Sequence, residues 1–251
     1  MADRRAVVVG GSRGIGRAVV ERLALDGHRV LATGRDAAAL DQLRQDLAVV
    51  GTEVDTVVAD ATDEAATTRL AADAGPTETL VVNAGAASAG PLARTDLETW
   101  DRLLRVNATG AFLALRAFVP GMVERGRGRV VVVASTAALS GAPYISAYAA
   151  SKHAVVGLVR SVAAEVAGRG VTVNAVCPHF VRTDMTDATV ARIQQATGRD
   201  EDAARAELER SSRLGRLLEP EEVAGTVAML IAQDDDTING QALALDGGGH
   251  W

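Results

Sequence analysis

A chain of 251 residues with 48% hydrophobic and 23% charged side chains has the composition of a globular protein rather than a disordered tract, and α/β folds of this length often form one domain. Its formal net charge of -6 disfavours a nucleic-acid partner, which would need concentrated Lys and Arg. One cysteine, Cys177, excludes an internal disulfide, and no Cys/His cluster has metal-site spacing. With no signal peptide ahead of Ala6 and no apolar run of membrane-spanning length, a cytoplasmic protein without a membrane partner is expected.

The first predicted strand, Ala6–Val9, runs straight into Gly10-Gly11-Ser12-Arg13-Gly14-Ile15-Gly16 and a helix over Ile15–Leu25. Glycines there allow a tight turn and let a phosphate approach the backbone, while the helix N-terminus offers N–H donors and a partial positive charge. A second strand, Arg29–Thr33, ends at Gly34-Arg35. An acidic residue at that point would accept from the adenosine ribose and repel a 2′-phosphate. Arg35, with Arg13 reaching from the glycine turn, suits a phosphate monoester instead, so NADP(H) is predicted over NAD(H). Asp36 is expected to point elsewhere. After a helix over Ala37–Leu47, a third strand, Val54–Ala59, leads to Asp60-Ala61. Asp60 is either a partner for the adenine amino group or the N-cap of the helix over Asp63–Ala72.

The fourth strand, Thr79–Val82, opens onto Asn83-Ala84-Gly85, and a helix follows over Asn107–Glu124, with Asn107 also suited to its N-cap. The fifth strand, Arg129–Ala134, ends at Ser135, a candidate strand-end turn residue. A helix over Ala147–Ala167 then presents Tyr148 and Lys152 at i and i+4, one turn apart on one face. A free phenol titrates near pH ~10, and a fixed ammonium beside it would favour the phenolate, as a general acid/base requires. Both long helices are apolar around most of their circumference, more than one sheet-facing stripe needs, which points either to deep burial within one chain or, as the preferred reading, to a subunit interface.

The sixth strand, Val171–Val176, leads to Pro178-His179-Phe180. The polar stretch 181–213, with weak helical periodicity, suits a lid over a substrate site, and Phe180, Met185, Ile193 and Leu208 are its candidate apolar walls. A helix over Glu219–Ile231 and a strand over Ala242–Leu245 complete the pattern. Apolar strands alternating with helices define an α/β fold: a single Rossmann-type domain over 1–251, doubly wound, with about seven parallel strands and helices on both faces.

The glycine turn, Asn83-Ala84-Gly85, Asn107, Ser135, Tyr148-x-x-x-Lys152 and Pro178 occur in an order and spacing that resemble the short-chain dehydrogenase/reductase family over essentially the whole chain. The resemblance implies an oxidoreductase in which Tyr148 exchanges a proton with the carbonyl or alcohol oxygen and Ser135 holds that oxygen. It further implies that Lys152 binds the nicotinamide ribose and lowers the tyrosine pKa, and that Asn107 keeps a water in a proton path to Lys152. Pro178, Val181 and Thr183 would contact the carboxamide end of the cofactor. Hydride transfer belongs to the cofactor, and the protein supplies alignment.

Three positions depart from the family's usual text. Val9 replaces a threonine and Val82 an asparagine, so an apolar contact between strand ends is expected in place of a polar one. His179 replaces a glycine and either lines the substrate pocket or points to solvent. The wording around Val173–Pro178, Leu214–Arg216 and Asp246–Gly248 is similar to that of 3-oxoacyl-thioester and polyketide-type ketoreductases, whose ketone would ride on coenzyme A or an acyl-carrier protein. Arg169 and the Arg125/Arg127/Arg129 cluster are candidate docking positions for that carrier. The alternatives are a dehydrogenase of small alicyclic or aryl secondary alcohols and a nucleotide-sensing or scaffolding protein on the same fold. The family's packing, together with the apolar helices, implies a homotetramer.

Overall fold

The computed structural model describes residues 4–249. Its strands are β1 (Arg5–Val9), β2 (Arg29–Gly34), β3 (Val54–Val58), β4 (Thr79–Val82), β5 (Gly128–Val133), β6 (Val171–Pro178) and β7 (Ala242–Leu245), joined in one sheet of order β3-β2-β1-β4-β5-β6-β7. Every neighbouring pair is parallel. The valine-rich runs suit this placement, because β-branched side chains pack well on a pleated surface buried on both faces.

Alternation along β1 shows how two cores arise from one run. Val7 and Val9 face one side, with Leu80, Val82, Val130 and Val132, and are covered by helices α5 (Gly110–Glu124) and α6 (Ser146–Glu165). Ala6 and Val8 face the other, with Val30, Val81 and Val131, and are covered by α1 (Gly14–Leu25), α2 (Ala37–Val49) and α9 (Pro220–Ile231). Period-two alternation thus sorts neighbours onto opposite faces. The expected Val9–Val82 contact is present: the two are register partners across β1 and β4 and are both buried.

Local signals set the helix starts. Asp36, Asp63, Asp96 and Asp200 each accept a hydrogen bond from a backbone N–H three residues on, capping α2, α3 (Glu64–Ala74), α4 (Leu97–Leu103) and α8 (Glu201–Ser211). Helix α9 starts with a reciprocal capping box between Glu219 and Glu222, and Pro220 occupies its first turn.

The structure corrects the expected pattern in three places. The helix predicted from Asn107 begins at Leu97, and Asn107 lies inside a π-helical turn, Leu104–Thr109, that joins α4 to α5. Asn107 is therefore not an N-cap. The resulting helical run, Leu97–Glu124, is 28 residues long and by length and apolarity alone would reach across a bilayer; half of its most apolar window is buried against the rest of the fold. The third correction concerns 181–213, which is more fully helical than its weak periodicity predicts: α7 (Asp184–Thr197) and α8 pack over a small core of Val190, Ala204, Leu208 and Leu217.

Candidate active site

The sheet order reverses between β1 and β4, which run side by side but lead away to opposite edges. In open α/β sheets such a switch point leaves a crevice outside the carboxyl ends of the strands, where ligands bind. A cavity of about 460 Å³ occupies that place, between the glycine turn, the ends of β2 to β4 and the first residues of the lid. A larger cleft of about 640 Å³ lies at the opposite ends of the strands, lined by Arg4, Arg22, Asp26 and Asp235 among others. None of the candidate cofactor or catalytic residues lines it, although Arg127 and Arg129 do.

Backbone crowding builds the glycine turn. Gly10 and Gly11 both donate N–H bonds to the Thr33 carbonyl, at 3.0 and 2.7 Å, and Gly10 has φ +82°, a left-handed conformation favouring glycine. A Cβ on Gly16 would collide with the Gly10 carbonyl oxygen, to which Asn83 Nδ2 donates at 2.8 Å. Asn83 thereby fastens β4 to the turn. A Cβ on Gly14 would approach the Thr183 methyl to 3.0 Å, so the 181–213 segment begins directly above the turn. Gly34 leaves space for the side chain of Ser12. Gly10, Ser12, Gly14, Ile15, Gly34, Ala61, Asn83, Ala84 and Gly85 line the crevice, whereas Gly16 is not part of its lining. The narrow glycine floor beneath a helix N-terminus fits a dinucleotide pyrophosphate.

Charges on its rim are arranged less simply than two free guanidiniums. Arg35 is exposed, with no ion-pair partner among the described residues. Arg13 instead pairs with Asp36 at 3.2 Å and lies 3.7 Å from Asp184 on the lid. Asp36 therefore caps α2 and also turns back toward the turn arginine, contrary to expectation. Asp60 does not cap α3, since Asp63 does. Its Oδ1 accepts from both the backbone N–H and the hydroxyl of Thr62, at 2.8 and 2.9 Å. These bonds, aided by Arg35 and Arg105, hold its carboxyl below the usual range.

The chemical end lies where β4, β5 and α6 meet. Ser135 follows β5, and its Oγ accepts from the Ala137 N–H at 3.1 Å, so it is a turn residue as well as a site candidate. Tyr148 and Lys152 project from one face of α6, with Nζ 6.0 Å from the phenol ring centroid. Lys152 is buried and donates to the Val133 carbonyl at 3.1 Å; burial pulls its pKa down to about 8. Asn107 Nδ2 donates to the Ala86 carbonyl at 2.9 Å and to Ser151 Oγ at 2.8 Å, while its Oδ1 accepts from the Ala86 N–H at 2.8 Å. The side chain thus stitches the loop after β4 to α6. A Cβ on Gly85 would come within 3.2 Å of Asn107 Oδ1 and 3.5 Å of Lys152 Nζ, which places all three around one small space.

Around Tyr148, burial pushes the phenol pKa up and hydrogen bonding to Ser135 pulls it down. A phenol in this setting holds its proton at neutral pH. The neighbouring Cys177 thiol is likewise pushed up to about 11, chiefly by burial.

Beyond Asn107, Ser135, Tyr148 and Lys152, Pro178 ends β6 and Val181 is buried, its carbonyl accepting from the Thr186 hydroxyl at 2.6 Å. Leu208 belongs to the small core of the 181–213 segment, Phe180 and Ile193 pack against it half-buried, and none of the three lines the nucleotide crevice. Met185 lines the nucleotide crevice. His179 neither points to solvent nor stands free in a pocket; both ring nitrogens have hydroxyl partners, Thr136 and Ser211. The arginines proposed for carrier docking mostly serve the fold. Arg125 binds the Thr77 carbonyl, Arg127 pairs with Glu78, and Arg129 binds the carbonyls of Gly128, Gly170, Gln233 and Asp235. They cluster at the start of β5, away from the crevice. Ser151 and Thr136 are site partners that the sequence reading did not single out.

A glycine-floored crevice at the switch point, beside a phenol, an ammonium and a serine hydroxyl, defines a nucleotide-dependent oxidoreductase. The family model for short chain dehydrogenase matches residues 4–194, and the chain belongs to that family, whose members act on CH–OH groups with a nicotinamide cofactor. It is 36% identical over 246 residues to the 3-oxoacyl-[acyl-carrier-protein] reductase MabA of Mycobacterium tuberculosis, covering 98% of this chain and 92% of that one. It is 40% identical over 229 residues to an inactive 2-(S)-hydroxypropyl-CoM dehydrogenase 2 of Xanthobacter autotrophicus, covering 88% and 95%. Among solved structures, an actinorhodin polyketide ketoreductase variant with NADPH superimposes with a TM-score of 0.94 at 33% identity, covering 98% of this chain and 97% of that one.

Proposed function

We propose that the protein is an NADP(H)-dependent ketoreductase for a 3-oxoacyl thioester or polyketide-type ketone, carried on coenzyme A or an acyl-carrier protein. The observation that carries this reading is the convergence of Ser135, Tyr148 and Lys152 beside the crevice. The Tyr148 phenol, hydrogen-bonded to Ser135, is the group placed to give up a proton in reduction. Similarity to proteins named as acyl-carrier-protein and polyketide ketoreductases supports the substrate class. Arg35, exposed and unpaired by carboxylates among the described residues, favours the 2′-phosphate of NADP(H).

In this reading the Ser135 hydroxyl donates to the ketone oxygen and fixes its position, and the Tyr148 phenol delivers the proton to that oxygen. Lys152 binds the ribose hydroxyls of the nicotinamide half, and Asn107 holds the loop after β4 against α6 so that a water-borne proton path can reach Lys152. NADPH supplies the hydride. Segment 181–213 serves as the substrate-binding lid, closing water out of the crevice. The exposed Phe112, Leu97 and Trp100 on the α4–α5 run supply an apolar surface suited to a homotetramer.

The test is NADPH oxidation, followed by absorbance, with a β-ketoacyl thioester and a panel of cyclic and aryl ketones, NADH in parallel. Turnover with NADPH and the thioester is expected, and Tyr148→Phe should lower kcat by roughly a hundredfold or more. A best rate with a cyclic or aryl ketone would replace the substrate class. NADPH binding with no turnover of any ketone would favour a binding protein.

A further inference from the structure

We propose that His179 is a positioning residue that clasps the lid to the turn carrying Ser135. Its role rests on the ketoreductase reading, because it acts on the hydroxyl that would hold the ketone oxygen. Nδ1 lies 3.1 Å from Thr136 Oγ1 and Nε2 lies 3.1 Å from Ser211 Oγ. Thr136 is the residue after Ser135 and is buried, within the short 3₁₀ turn that the Ser135 hydroxyl caps. Ser211 is the last residue of α8. One imidazole therefore touches the catalytic turn with one nitrogen and the far end of the lid with the other.

The hydrogen-bond inventory fixes the tautomer. Ser211 Oγ donates its only proton to the Leu208 carbonyl at 2.6 Å, so toward His179 it accepts. Nε2 must then carry hydrogen, which leaves Nδ1 of the neutral ring to accept from the Thr136 hydroxyl. The backbone is held as well, since the His179 N–H donates to the Leu245 carbonyl at 3.0 Å at the end of β7. An edge-on contact with the Phe180 ring, centroids 4.8 Å apart, restrains the imidazole and ties it to the residue that enters the lid core. A glycine at this position would keep the strand-end bond and lose every link between α8 and the Ser135 turn that runs through the imidazole.

The consequence is coupling: closing the lid also sets Ser135 in place. Two breaks, His179→Gly and Ser211→Ala, test it in a double-mutant cycle. Each single variant should raise KM for the ketone about tenfold, the size of one lost net hydrogen bond, with kcat and the Kd for NADPH changed less than about twofold. Because both act through one link, the double variant should be no worse than the poorer single variant rather than about a hundredfold impaired. Hydrogen exchange with no cofactor added gives a readout apart from turnover. Amides of α8 should exchange faster in both variants while those of β1 and β2 stay unchanged. Multiplicative KM effects, or α8 exchange equal to wild type, would overturn the clasp. A wild-type protein that reduces no ketone would sink the ketoreductase reading, and the exchange arm would still decide whether the clasp exists.

Discussion

At Gly16 a methyl group has nowhere to go, because the space is filled by the Gly10 carbonyl and the Asn83 amide, themselves hydrogen-bonded to each other. Neither is the free end of a flexible chain, so the turn itself must move. Gly16→Ala should therefore weaken NADPH binding by about tenfold or more, in line with the cost of overpacking a closed site. Fluorescence titration reads this directly, and unchanged affinity would show that the phosphates sit elsewhere. Residue identity alone announced this glycine. It did not announce the state of Tyr148, since the spacing to Lys152 is visible in the text while burial is a property of the assembled site. Nor did it reveal that Arg13 would be held by Asp36 and Asp184, a pairing between three separate segments.

Among the elements, the junction of lid and α9 is held by charge. Arg216 meets Glu222 through two bonds of 2.7 Å, and Glu222 also accepts the Glu219 N–H at 2.8 Å. These contacts hold the Glu222 carboxyl at about 2, below its usual 4.5. A depressed carboxylate stabilises the fold above pH 4.5, and that contribution fades as pH falls from there toward 2. The pair is 49% and 40% exposed, so solvent screening keeps the effect modest. Glu222→Gln should thus lower the urea midpoint at pH 7, with the gap to wild type narrowing below pH 4.5; a gap constant from pH 7 to 3 would show that the charge is irrelevant. The strands were readable as β-branched runs, and α1, α2 and α9 as apolar periodicity. Helices α7 and α8 were not, because each buries so few side chains, Thr186 and Val190 in one and Ala204 and Leu208 in the other. The available signal was Asp200 as an N-cap followed by Ala204 and Leu208 at helical spacing. Helix α4 and the π turn were hidden for another reason: Asn107 looks like a beginning when its neighbours are read forward only.

The molecule as a whole leaves part of its apolar surface uncovered. Phe112 is 43% exposed and Leu97 72% exposed on the run from α4 to α5, and Ala154 and Gly157 lie exposed on α6. A solvated face of that kind is suited to copies of itself. Light scattering should return four times the chain mass, and Phe112→Asp should reduce it; a monomer mass for the unaltered protein would refute the tetramer. The two-faced sheet was legible from the alternation of apolar strands and helices, whereas the position of the lid over the glycine turn depends on the Gly14–Thr183 approach, which no local pattern encodes.

The lid's private core has a consequence for how such proteins diversify. Val190, Ala204, Leu208 and Leu217 bury one another, with Phe180 and Ile193 packed against them, so the segment beyond Val181, which itself belongs to the core beneath the sheet, can be exchanged between relatives as a cassette. In this chain the graft comes with a single requirement. Any transplanted segment must bring a hydroxyl to the place of Ser211, or the imidazole of His179 keeps its hold on Thr136 alone.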